Sequence, residues 1–174
     1  MGLLENKFII VTGAAQGIGF SAAESILNEK ANVLICDVDR VALEIAEKKL
    51  SKFSENVIFS EIDIRSENSI NQALDKVKSW NHIDGLVNNA AILDINNVET
   101  INEERWNKVI DTNFTGTLRI IQKTIPKLKI RTSCNYQYFI NTSIFRRQRF
   151  TCLFNCKRRL TDANKIYGSR PRET

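Results

Sequence analysis

Residues 8–19 read FIIVTGAAQGIG, from Phe8 to Gly19, and the reading of this stretch decides the fold. FIIV is short, apolar and β-branched, which suits a strand buried on both faces in a parallel sheet. Glycines at Gly13, Gly17 and Gly19 then carry the chain straight into a helical pattern that begins near Phe20, with apolar residues at Ile18, Ala22, Ile26 and Leu27 forming its expected face. A strand that turns on glycine into a helix aims the helix's free N–H groups and positive dipole end at one point, which favours an anion, usually a phosphate. A side chain at Gly13 or Gly17 would block close approach of a diphosphate and would resist any positive φ that the turn requires. An ordinary strand-turn-helix has the same glycine spacing, so the rest of the chain has to decide between the two.

Working outward, Asn32–Asp37 (NVLICD) reads as a second buried strand ending on an acid, and Val41–Leu50 as a helix with Asp39 as N-cap. Asn56–Asp63 reads as a third strand, Ser66–Trp80 as a third helix, and Ile83–Val87 as a fourth strand followed by Asn88 and Asn89. Strands alternating with helices of this length predict a doubly wound, three-layer αβα Rossmann fold with a parallel sheet. Ligands in such sheets bind beyond the carboxyl ends of the strands. Here those ends carry Thr12-Gly13, Asp37, Asp63 and Asn88-Asn89. A carboxylate at Asp37 could accept both ribose hydroxyls of an adenosine and would repel a 2′-phosphate, which favours NAD over NADP. The alternative makes Asp37 a solvated cap of the following helix.

The 174 residues suffice for one domain with a substantial core. No apolar run approaches the ~20 residues that cross a bilayer, and Met1–Lys7 lacks the layout of a signal peptide, so a cytoplasmic protein without membrane contact is expected. Cys36, Cys134, Cys152 and Cys156 show no CxxC spacing and His82 is the single histidine, so no metal site is expected. The net charge of +5 is unevenly placed. Residues 1–130 hold 15 Lys and Arg against 18 Asp and Glu, whereas residues 131–174 hold 10 against 2. Every glycine except Gly168 lies at or before Gly116. The character of the chain changes near Ile130.

With these residues placed, the chain resembles the short-chain dehydrogenase/reductase family. Thr12-Gly13-Ala14-Ala15-Gln16-Gly17-Ile18-Gly19 is similar to that family's TGxxxGxG dinucleotide loop, Asp63-Ile64 to its adenine-holding acid-plus-apolar pair, and Asn88-Asn89-Ala90-Ala91 to its NNAG motif, with Ala91 in the place of glycine. The resemblance implies cofactor contacts at Thr12, Gly13, Gln16, Gly17, Ile18, Gly19, Asp37, Asp63, Ile64, Asn89 and Ala90. It also implies a long helix in which Asn113, within Asp111-Thr112-Asn113-Phe114-Thr115-Gly116, helps to hold a proton-relaying water. It runs from Leu4 to about Lys129, which sets the expected division into a dinucleotide-binding domain, 1–129, and an aberrant basic tail, 130–174.

The family's next features are a fifth strand ending on a catalytic serine and a YxxxK helix, in which the tyrosine is general acid/base and the lysine lowers its pKa. Ile140-Asn141-Thr142-Ser143 resembles the serine strand and makes Ser143 the candidate, but Tyr136, Tyr138 and Tyr167 have no lysine four residues on. Joining the last two bases of each codon to the first of the next, Thr151–Leu160 permits P-A-Y-S-T-A-K-G-A-L, which contains the missing motif. In the same frame, Asn135–Ile140 permits I-I-N-I-S-S, placing a serine opposite Ile140 and the tyrosine opposite Leu153. The reading is an ancestral dehydrogenase gene translated out of frame from about Ile130, with a fold incomplete at its C-terminus.

Three functions are open as expectations. One is an NAD(P)-dependent oxidoreductase by descent, moving a hydride between the nicotinamide and a small alcohol or carbonyl substrate, but impaired because the tyrosine is lost. A second is a dinucleotide-binding module without catalysis. The third assigns nucleic-acid or membrane contact to Arg146, Arg147, Arg149, Lys157, Arg158 and Arg159 among Phe145, Phe150 and Phe154, and the frame reading makes it the least favoured. The family's oligomers depend on the altered region, so their assembly is not expected to carry over.

Overall fold

The computed structural model describes residues 2–93, 99, 100 and 102–128, together with the backbone of 139–141 and 150–152. Its first part alternates β1 (Phe8–Thr12), α1 (Gly17–Asn28), β2 (Asn32–Asp37), α2 (Arg40–Lys49), β3 (Val57–Glu61), α3 (Glu67–Asp75) and β4 (Gly85–Val87). The four strands form one parallel sheet in the order β3-β2-β1-β4. In its register Val11 lies between Ile35 and Val87. Reversal of strand order about β1 places a topological switch point between β1 and β4, where crossovers leave to opposite faces and a crevice opens.

The period-two alternation of the strands divides the core between the faces. Ile10, Leu34 and Leu86 pack with Ile70, Ala73 and Ile120 on one face, and Ile9, Val11, Val33 and Ile35 pack with Ala23, Leu27 and Leu43 on the other. Burial on both sides explains why these strands read as unbroken apolar runs. The buried face of α1 is Gly19, Ala23 and Leu27, which corrects the expected face: Ile18 is half exposed and Ala22 and Ile26 are only partly covered. Small residues one turn apart let α1 lie close to the sheet, and Ile18 is left to face outward at the carboxyl end.

Local signals fix most boundaries. Asp39 accepts a hydrogen bond from Ala42 N at 3.0 Å and caps α2 as expected. Ser66 does the same for α3 through Ser69 N, at 3.3 Å. Beyond β4, α4 (Glu103–Ile110), capped by Asn102, runs into a π-helical turn (Asp111–Gly116) and on into α5 (Thr117–Thr124). Gly116 is required by close approach, because a Cβ there would stand 2.8 Å from Ile64 Cγ1. The expected long helix around Asn113 is therefore present, widened at the very residues singled out in the sequence.

The segment resembling a serine strand behaves differently from expectation. β5 (Phe139–Asn141) pairs antiparallel with β6 (Phe150–Cys152) in a separate two-stranded ribbon and does not extend the parallel sheet. The crossover through α4 and α5 does bring the chain back beside β4, where Leu128 makes a parallel bridge with Ile83, but β5 takes β6 as its hydrogen-bonded partner.

The amino ends of the strands are closed by polar and aromatic contacts. The Asp84 carboxylate accepts from Phe8 N at 3.1 Å and Lys7 Nζ at 3.2 Å, and His82 Nε2 lies 3.0 Å from it. Phe8 packs on Trp80 with ring centroids 5.0 Å apart and meets the edge of His82.

Candidate functional site

At the opposite end of the sheet, a cleft of about 610 Å³ lies over the strand ends. It is lined by Gly13, Gln16 and Ile18 from the β1-α1 turn, Asp37 from β2, Asp63 and Ile64 from beyond β3, and Asn89 and Ala90 from beyond β4. Polar residues read from four separate strand ends thus meet around one space.

The turn after β1 is shaped by glycine in two senses. Gly13 and Gly17 have φ of +62° and +59°, the left-handed region where a side chain is strained. At Gly13 a Cβ would stand 2.7 Å from Ala90 Cα, and at Gly19 it would stand 2.2 Å from Gly13 O, so both glycines allow backbone to touch backbone. A Cβ at Gly17 would meet nothing within 4 Å. Packing explains the first and third glycines, whereas the second keeps open space beside a helix start. No side chain caps α1 at Gln16, and its first turn carries no acid, so its dipole end is left for an outside partner.

Side chains from the other strand ends hold this turn. Thr12 Oγ1 accepts from Asn89 N and Ala90 N, each at 3.2 Å, and the Asn89 amide donates to Thr12 O at 3.2 Å and Gly13 O at 2.7 Å. Asn89 therefore does more than line the cleft, since it ties β4 to β1. Asp37 Oδ2 accepts from Ala15 N at 3.0 Å and Oδ1 from Asp39 N at 3.1 Å. The cap of α2 is Asp39, so Asp37 is not itself that cap; it braces the glycine turn, a role the sequence reading missed because no spacing signals it. Ala91 lines the cleft without positive φ, so the methyl in the place of glycine causes no backbone strain. The buried Cys36 thiol beneath the site is pushed up to about 12, chiefly by burial, and is inert as a nucleophile.

Asp63 is paired with its near neighbour. Arg65 Nη2 donates to Asp63 Oδ2 at 2.6 Å, Arg65 Nε donates to Oδ1 at 2.9 Å, and Arg65 N also donates to Oδ1 at 2.9 Å. These hydrogen bonds from Arg65 hold the Asp63 carboxyl below the usual carboxylate range. Asn113 is buried, and its amide forms a reciprocal pair with the backbone of Ile92: Ile92 N donates to Oδ1 at 2.9 Å and Nδ2 donates to Ile92 O at 2.8 Å. Its own carbonyl accepts from Thr117 Oγ1 at 2.9 Å. The side chain thus fastens the segment after β4 to the long helix. Ser143 and the 151–160 segment lie outside the residues whose side chains are described. Among the described residues no group of acids, histidines and cysteines could hold a metal, and no helix is long and apolar enough to cross a membrane.

Known proteins resemble this chain in sequence and fold. The short chain dehydrogenase family profile matches residues 7–135. The chain is 34% identical to the 3-oxoacyl-[acyl-carrier-protein] reductase FabG of Chlamydia trachomatis over 134 residues, 75% of this chain and 54% of that protein. It is 33% identical to galactitol 2-dehydrogenase of Agrobacterium fabrum over 127 residues, 73% of this chain and 48% of that protein. The crystal structure of gox2181 superposes with a TM-score of 0.67 at 28% identity, covering 71% of this chain and 49% of the other. The chain spans about half the length of the relatives it matches. With a parallel α/β sheet, a glycine turn braced from neighbouring strands and a family match over most of its length, this chain belongs to the short-chain dehydrogenase family.

Proposed function

We propose that the cleft binds NAD, and that the chain is an oxidoreductase by descent whose own catalysis is impaired. The carrying observation is the turn at Gly13–Gly19, where two glycines are filled by backbone and Gly17 alone borders open space beside an uncapped helix start. That space fits a diphosphate, which would take the helix N–H groups. Asp37, whose two oxygens each retain a lone pair beyond their backbone bonds, would accept the adenosine ribose hydroxyls and oppose a 2′-phosphate. Asn89 and Ala90 form the wall toward the substrate side. When bound, the nicotinamide supplies a hydride donor or acceptor for an alcohol or carbonyl carbon.

Within this reading Asn113 keeps the wall after β4 in place, and Ser143 is the candidate to hold a substrate oxygen. No tyrosine followed by a lysine four residues later supplies the proton. Loss of that general acid/base costs orders of magnitude in rate. The division at about residue 130 and the out-of-frame origin of the residues beyond it belong to the same proposal. Sequencing the gene and transcript across codons 125–174 tests it, and nucleotides that do not encode YxxxK in the neighbouring frame would end it.

Binding is tested by thermal denaturation of the 174-residue chain with NAD or NADP. The expected result is a melting shift with NAD, a smaller one with NADP, and no measurable turnover of simple alcohols. An absent shift with both cofactors refutes the binding reading, and measurable NAD-dependent oxidation refutes the impairment.

A further inference from the structure

We draw no further inference here: the strongest candidate, the exposed apolar stripe of Trp106, Phe114, Leu118 and Ile125 along α4, the π-helical turn and α5, is an unpartnered helix face, and nothing in the structure shows what covers it.

Discussion

The two ends of the parallel sheet are built from the same strands and do opposite things with polar groups. At the amino end, Asp84 collects Lys7, Phe8 N and His82 under the Phe8-Trp80 contact, so each oxygen of the acid has a partner from the protein. At the carboxyl end, Gly17 faces open space, α1 starts without a cap, and Asp37 uses its oxygens to position a turn. One end is closed by satisfied contacts and contributes stability. The other keeps unsatisfied groups pointed at a cleft, which is what a binding site requires and what a purely structural end avoids.

This contrast can be broken by substitution, and the largest effect is expected within the glycine turn. Gly19→Ala would force a methyl against Gly13 O, and unfolding experiments in urea should show a loss of about 3 kcal/mol with loss of NAD-dependent stabilisation. Asn89→Ala removes the two side-chain hydrogen bonds to Thr12 O and Gly13 O and leaves the backbone ones to Thr12 Oγ1. It should cost about 2 kcal/mol and weaken NAD binding as well, since fold and site share this residue.

The amino end should respond in stability alone. Asp84→Asn is expected to lose about 1–2 kcal/mol with the NAD shift in melting temperature preserved. The wild type should also lose this contribution in acid. Burial pushes the Asp84 carboxyl up, but the Phe8 N–H, Lys7 and His82 outweigh it and hold the group below its ordinary value of 3.8. A folded pKa below the unfolded one means that the contribution is present at neutral pH and is lost as pH falls from about 4 through the folded value. Denaturant titrations from pH 7 to pH 3 check this, and Asp84→Asn should flatten that part of the profile.

The smallest stability effect is expected at Gly17. Gly17→Ala meets no atom and incurs only the strain of positive φ, about 1 kcal/mol, yet it places a methyl in the space assigned to the diphosphate. Calorimetry should show NAD affinity reduced at least tenfold in a protein that remains folded. Equal loss of stability and binding would erase the distinction between the packed glycines and the open one.

Much of this was legible in the residues themselves. The limits of β2 agree with the expected strand, the Asp39 cap is where its spacing put it, and the polar strand ends converge because a parallel sheet must bring them to one edge. Less local features were not legible. The buried face of α1 departs from the apolar pattern because apolarity alone does not reveal that Gly19 is pressed onto Gly13, and no local pattern announces the antiparallel pairing of β5 with β6.

The sequence by itself determined the fold class, the glycine turn, the acids at the strand ends and the change of composition near Ile130, because periodicity, turn chemistry and charge are properties of neighbouring residues. Only the tertiary structure decided how those groups are used. Asp37 braces Ala15, Asn113 clasps Ile92, and Asp63 is taken up by Arg65. A carboxylate or amide has few hydrogen-bonding positions, and which partners fill them depends on elements that meet only when the sheet is assembled.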